Sequence, residues 1–211
     1  MKIQFAIDGI SIGEGIRIVR EIYDYVDYIE LGDGTISRNS TQCIKTLKDA
    51  YPEKKIVADL KIMDGGYSQA KEAFELGADV VTVCAVSDEE VQRGTVRAAK
   101  EAGKEAWIDL IGIAPSNYHK YVDAINALDA DYVCPHLSGG MFADEPGIHA
   151  RKDAIKIVSE LNFKPKVVLS GGLTPDYLPE IIACNPHHVN LGGVLIKAKD
   201  PAAVAKKFYE A

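Results

Sequence analysis

Between Ile56 and Gly66 the chain reads Ile-Val-Ala-Asp-Leu-Lys-Ile-Met-Asp-Gly-Gly, which sets Asp59, Lys61 and Asp64 into an otherwise apolar run. Side chains alternate faces along a strand, so Asp59 and Lys61 share one face while Ala58, Leu60 and Ile62 share the other. Burying ionised groups is costly unless they are paired. A structural ion pair at a strand end would account for the stretch alone, but other polar groups close similar runs: Asp8, Glu30, Asp109 and His136. Several carboxylates near one another favour a hard divalent cation held by oxygen, with Mg²⁺ the ordinary choice. Lys61, flanked by acids, stays protonated, which argues against a Schiff base and for stabilising an enolate or enediolate oxygen. His136 exchanges protons near neutral pH and is the acid–base candidate, a purely structural histidine being the alternative.

Alternating strand-like and helix-like segments position these groups from end to end. Short apolar runs lie at Ile3–Asp8, Tyr28–Leu31, Ile56–Lys61, Asp79–Cys84, Ala106–Ile111, Tyr132–His136, Lys166–Ser170 and His188–Leu191, separated by amphipathic stretches of helical period. Ser11 with Glu14 and Ser87 with Glu90 fit capping boxes. Thr174-Pro175 and Asp200-Pro201 set a cap residue before a first-turn proline, and Gly77 and Gly103 suit helix ends. Strand–helix units repeated in this way predict a single (β/α)8 TIM barrel over residues 1–211. A doubly wound sheet would carry a Gly-rich loop after its first strand, and Asp8-Gly9-Ile10-Ser11 is not one.

In a barrel, groups at the carboxyl ends of the strands converge on one rim. Ile29 and Leu31 flank Glu30, and Ile108 and Leu110 flank Asp109, so both acids can face inward. The last two strand–helix loops, Ser170-Gly171-Gly172-Leu173 and Leu191-Gly192-Gly193-Val194, would expose backbone N–H groups to an anion, where barrels frequently bind phosphate. Tight turns alone would also explain glycine there.

A net charge of −7 and the lack of any Lys/Arg cluster argue against a nucleic-acid partner. No apolar run approaches the roughly 18 residues of a membrane span, and the first residues are too polar for a signal peptide, so a cytoplasmic protein is expected. Cys43, Cys84, Cys134 and Cys184 are too widely spaced for a zinc or redox motif and read as reduced, packed thiols.

Asp59-Leu60-Lys61-Ile62-Met63-Asp64 resembles the Asp-x-Lys-x-x-Asp motif of the orotidine monophosphate decarboxylase superfamily. The longer stretch Ala58–Gly66 resembles its sugar-phosphate branch, 3-hexulose-6-phosphate synthase and 3-keto-L-gulonate-6-phosphate decarboxylase; the likeness runs from Gln4–Asp8 through Gly77–Val83 to Gly192-Gly193. The resemblance implies a homodimer with active sites at the subunit interface and a Mg²⁺-stabilised 1,2-enediolate. By position it implies Glu30 and Asp59 as metal-associated acids, Lys61 as the enediolate-stabilising lysine, and Asp64 as the aspartate given across the interface. Asp8 matches the acid of the first strand and His136 the proton-handling histidine. Asp109, and the lack of an arginine soon after His136, lean toward the synthase. Three departures stand out: Leu31-Gly32-Asp33-Gly34-Thr35-Ile36 where the family reads Gly-Thr-Pro, Gly193 where the decarboxylases place arginine (leaving backbone donors and Lys197 for phosphate), and a long acidic loop from Leu137 to Pro146.

The expected activity is therefore aldol addition of formaldehyde to ribulose 5-phosphate. Decarboxylation of 3-keto-L-gulonate 6-phosphate is the alternative, and a non-catalytic sugar-phosphate-binding family member is the alternative of another class. An epimerase of the ribulose-phosphate type is disfavoured by the motif.

Overall fold

Eight parallel strands pair in chain order and close into a barrel, β1 against β8. They are β1 (Lys2–Ile7), β2 (Tyr28–Leu31), β3 (Lys55–Ile62), β4 (Val80–Cys84), β5 (Glu105–Asp109), β6 (Tyr132–Cys134), β7 (Lys166–Ser170) and β8 (His188–Leu191). This computed structural model describes residues 1–137 and 148–211, with only the backbone of 148 and 149. The fold is the expected (β/α)8 barrel, and β2, β7 and β8 keep the bounds read from sequence. The acidic stretch 138–146 lies outside the described residues.

The helices are α1 (Ile12–Ile22), α2 (Asp33–Asn39), α3 (Gln42–Ala50), α4 (Gly66–Glu75), α5 (Glu89–Ala102), α6 (Val122–Leu128), α7 (Ile148–Ser159), α8 (Leu178–Cys184), α9 (Gly193–Ile196) and α10 (Pro201–Tyr209). Among the described residues no helix is long and apolar enough to cross a membrane. The Ser11–Glu14 capping box forms, and Asp200 caps α10 through Ala203 N–H. Ser87 and Glu90 do not form the expected box. Asp88 holds the cap position, while the Ser87 hydroxyl donates to Cys84 O at 2.7 Å within the turn leaving β4. Thr174 precedes a short 3₁₀ turn, Pro175–Tyr177, with no side-chain cap, its hydroxyl lying 3.4 Å from Asp176 instead.

Strand alternation sorts the core into two layers. Ile3, Phe5, Ile7, Ile29, Leu31, Ala58, Val81 and Ile108 face outward under the helices, while Tyr28, Val57, Val80, Trp107, Tyr132, Cys134 and Val168 fill the barrel. Above this plug, at the carboxyl ends, the inward positions turn polar: Glu30, Asp59, Thr82, Asp109, Ser170 and Asn190 are all buried.

One strand departs from regular pleating. Ala58 pairs with Val81 but Ile62 with Val83, so β3 advances four residues while β4 advances two. Lys61 within this bulge has φ 44°, a left-handed conformation that L-residues avoid. Side chains of β4 stand in for the lost ladder: Lys61 N–H donates to Thr82 Oγ1 at 2.9 Å, and Cys84 Sγ lies 3.4 Å from Lys61 O. After β3 the chain is pinned again at Gly66, where a Cβ would lie 2.0 Å from Val91 O, so α4 and α5 meet backbone to backbone.

Candidate active site

The polar rim opens into a cavity of about 530 Å³. Of the residues expected to do chemistry, Asp8, Glu30, Asp59, Lys61 and His136 all line it. So do Ser170, Gly171, Gly172, Gly192 and Gly193, together with Lys197. Asp109 lies beneath, holding His136: its Oδ2 is 3.0 Å from His136 Nδ1. Asp64 does not join them. It is exposed beyond β3, and its Oδ1 accepts from Gly65 N–H at 2.7 Å. Asp8 does not cap α1, a place Ser11 takes; it accepts from Gly9 N–H at 2.9 Å at the cavity edge.

Lys61 and Asp59 form an ion pair through Nζ and Oδ2, while Asp59 Oδ1 accepts from the Thr82 hydroxyl at 2.8 Å. A second acid, Asp33 at the start of α2, lies 3.6 Å from Lys61 Nζ and lines the same cavity. Burial opposes the lysine's charge, but Asp59, then Glu30 and Asp109, outweigh it and push the Lys61 pKa well above its ordinary value. Lys61 is therefore a fixed cation and no Schiff-base nucleophile. For His136 burial likewise pulls downward, and the Asp109 charge and hydrogen bond outweigh it, leaving a net rise. With Nδ1–H donated to Asp109, Nε2 is the nitrogen free to take a proton.

Glu30 is the most constrained acid. Burial, and next the charge of Asp59, raise its pKa well above the carboxylate range; Asp59 is raised too, by burial first, against the pull of Lys61. Two side-chain amides reach one oxygen of Glu30: Gln4 Nε2 and Asn190 Nδ2, the latter at 2.8 Å, both on Oε2. Oε1 receives no hydrogen bond among the described residues. Two buried acids that repel each other, one with a free oxygen at the cavity, form a donor set suited to a hard divalent cation. Asp109, Cys134 and His136 also bring donor atoms within 4.8 Å of one another. There, burial and then neighbouring carboxylates hold the Cys134 thiol protonated, which suits a soft ion poorly and Mg²⁺ not at all.

The loop after β7 is shaped by contact. Gly171 has φ 100°, and a Cβ there would lie 2.1 Å from Leu137 O, so only glycine lets the chain pass. Arg151 Nε donates to Gly171 O at 3.3 Å. The loop faces Gly192, Gly193 and Lys197 across a second, smaller hollow, which gives an anion backbone donors and one ammonium group.

Asp33, Asn190, Gln4 and His188 are absent from the sequence-based candidates. Parity could have found three of them, since Gln4 lies between Ile3 and Phe5 and His188 and Asn190 alternate with Val189 and Leu191. Asp33 had only its spacing, three residues after Glu30.

Residues 1–208 match the family model "Orotidine 5'-phosphate decarboxylase / HUMPS family". A 3-hexulose-6-phosphate synthase of Bacillus subtilis (strain 168) is 33% identical over 207 residues, covering 98% of this chain and 96% of that protein. The crystal structure of 3-hexulose-6-phosphate synthase from Salmonella typhimurium superposes with a TM-score of 0.87 at 31% identity, covering 100% of this chain and 97% of the other. The crystal structure of 3-keto-L-gulonate-6-phosphate decarboxylase from Vibrio cholerae shares the fold, with a TM-score of 0.80 at 24% identity over 99% of this chain and 95% of that one. With its motif on β3 of a closed barrel and its length matched nearly throughout, the chain belongs to the orotidine 5′-phosphate decarboxylase / HUMPS family.

Proposed function

We propose that this protein is a Mg²⁺-dependent carbon–carbon lyase acting on a sugar phosphate through a 1,2-enediolate, namely a 3-hexulose-6-phosphate synthase that adds formaldehyde to ribulose 5-phosphate. Relatives of that name, at 28–33% identity over nearly the whole chain, support the substrate class. The observation that carries the chemistry is the pairing within one cavity of a fixed cation, Lys61, with a histidine held by Asp109.

Each residue then has a task. The glycine-rich loops after β7 and β8, with Lys197, bind the phosphate and set the sugar's distance from the rim. His136 Nε2 takes the proton from C1, and Asp109 stabilises the imidazolium that results. Lys61 holds the negative charge of the enediolate, and Asp59 and Asp33 keep the ammonium in place. C1 then attacks the formaldehyde carbon, and the new alkoxide takes a proton back from His136. Glu30 and Asp59 would hold Mg²⁺, which supplies positive charge against the developing enediolate.

We also read the active unit as a homodimer in which Asp64 enters the site of a second copy. Its position on the rim outside its own cavity fits that role, and the exposed Met63 and Val86 give the same rim an apolar surface to cover. Light scattering of the purified protein tests this. Phosphorylated sugars and four free cysteines suit the cytoplasm.

The deciding assay mixes the protein with Mg²⁺, ribulose 5-phosphate and formaldehyde, with 3-keto-L-gulonate 6-phosphate in parallel. EDTA-sensitive formaldehyde uptake supports the synthase. CO₂ release from the keto acid alone moves the activity to the decarboxylase. Binding of sugar phosphate without turnover of either substrate leaves a non-catalytic binder.

A further inference from the structure

The barrel interior holds a polar chain that ends on Glu30 and whose other members have no part in the proposed chemistry. His187 Nδ1 and His188 Nδ1 lie 2.9 Å apart, His188 Nε2 is 2.9 Å from Gln4 Oε1, and Gln4 Nε2 meets Glu30 Oε2. From the far side Asn190 Nδ2 reaches the same Glu30 oxygen at 2.8 Å and Ser170 Oγ at 3.2 Å. Gln4 and His188 are at most 1% exposed, and the His188 ring stacks on Tyr28 with centroids 4.4 Å apart. Small barrels ordinarily fill these layers with branched apolar side chains, so amides and imidazoles here need a reason.

Direction along the chain is dictated by its end. A carboxylate that holds a divalent cation is ionised and only accepts, so in the loaded site both amides turn their N–H groups toward Glu30. Gln4 Oε1 then faces outward and must accept, which assigns the proton of His188 to Nε2. Its Nδ1 is left to accept from His187. From Glu30 through Gln4 and His188 to His187, each orientation fixes the next.

Asn190 shows that stability is not what keeps this arrangement. Its Oδ1 is buried and meets no donor among the described residues. An orphaned buried acceptor keeps the full penalty of losing water, which an apolar residue of similar size would avoid. The amide is kept for what its nitrogen does.

We propose that Gln4 and Asn190 are positioning residues that grip one oxygen of Glu30 and so present the other to a divalent cation, with His188 locking the Gln4 amide in the required orientation. This inference rests on the metal reading of Glu30 and deepens it.

The test is Mn²⁺ binding to the substrate-free protein, read as free Mn²⁺ by electron paramagnetic resonance, with melting curves of each variant. Gln4→Leu and Asn190→Leu remove one donor each. His188→Phe keeps a ring on Tyr28 and removes both ring nitrogens, the donor to Gln4 and the partner of His187. The expected result is a dissociation constant raised about ten-fold or more in the first two and by a smaller factor in His188→Phe. Each folded variant should melt in one cooperative transition, His188→Phe somewhat earlier than the parent because Gln4 Oε1 loses its donor. Should Gln4→Leu fail to fold, the other two variants decide. Wild-type affinity in folded Asn190→Leu and His188→Phe would overturn the positioning role while leaving the metal in place. No Mn²⁺ binding by the wild type would remove the metal reading and this inference with it.

Discussion

Lys61 reaches back to Asp59, two residues earlier on the same strand, because β3 bulges between them and Lys61 takes a left-handed backbone. The ion pair thus depends on a conformation that regular pleating would not supply. Left-handed geometry costs an L-residue about 1–2 kcal/mol, part of which glycine gives back through its freer unfolded chain. Lys61→Gly should accordingly be more stable than Lys61→Ala, by about 1 kcal/mol in chemical denaturation. Both should lose about 10²–10³-fold or more in turnover. Equal stability would mean the bulge carries no strain.

His136 acts as a base only when neutral, and Asp109 raises its pKa against the effect of burial. Activity should therefore rise with pH through a value above that of an ordinary histidine. In Asp109→Asn burial acts unopposed by that charge, and the acid limb of kcat/KM should move to lower pH. The maximal rate should drop by about 10²–10⁴-fold as the imidazole loses its fixed tautomer. A limb that stays in place would show that another group controls it.

Gly171 and Gly193 make a contrasting pair in the proposed phosphate loops. Alanine at 171 meets Leu137 O and an unfavourable φ, whereas alanine at 193 has open space. Gly171→Ala should cost at least about 1–3 kcal/mol and raise the KM for the sugar phosphate. Gly193→Ala should stay within about 0.5 kcal/mol of the parent protein. Matched melting temperatures for the two would contradict the close approach.

Asp79, just before β4 at the opposite end of the barrel, accepts from Lys48 at 2.8 Å, Lys104 at 2.6 Å and Ile56 N–H at 2.9 Å. Burial opposes its charge, but the lysine and backbone hydrogen bonds lower its pKa overall. A lowered folded-state pKa stabilises the protein above the unfolded value, and that contribution fades as pH falls through the folded one. Asp79→Ala should cost about 1–3 kcal/mol at neutral pH, flatten the acid side of the stability curve and leave kcat alone. Parallel acid curves for mutant and parent would remove Asp79 as their cause.

Much of this site is legible in the amino-acid order. Alternation alone turns Glu30 and Asp109 inward, because each sits between large apolar neighbours that must face the helices. The same rule applied to Gln4, His188 and Asn190 exposes the polar layer, but uncharged amides do not announce themselves as charged groups do. The bulge at Lys61 is not legible, since it needs Thr82 and Cys84 on the next strand to replace ladder partners. Nor is Asp33, whose approach to Lys61 depends on how the chain turns from β2 into α2. Ser87 has the spacing of a cap, yet the turn after β4 takes its hydroxyl first.

The groups assigned to the chemistry, to phosphate binding and to their support come from all eight strands or the turns that leave them, every sector of one closed ring. None can be spared by letting a neighbouring segment fray, and no subset forms a half-site. Turnover is therefore a gauge of ring closure: denaturant that opens the barrel at any seam should extinguish activity with the same midpoint as the strand signal.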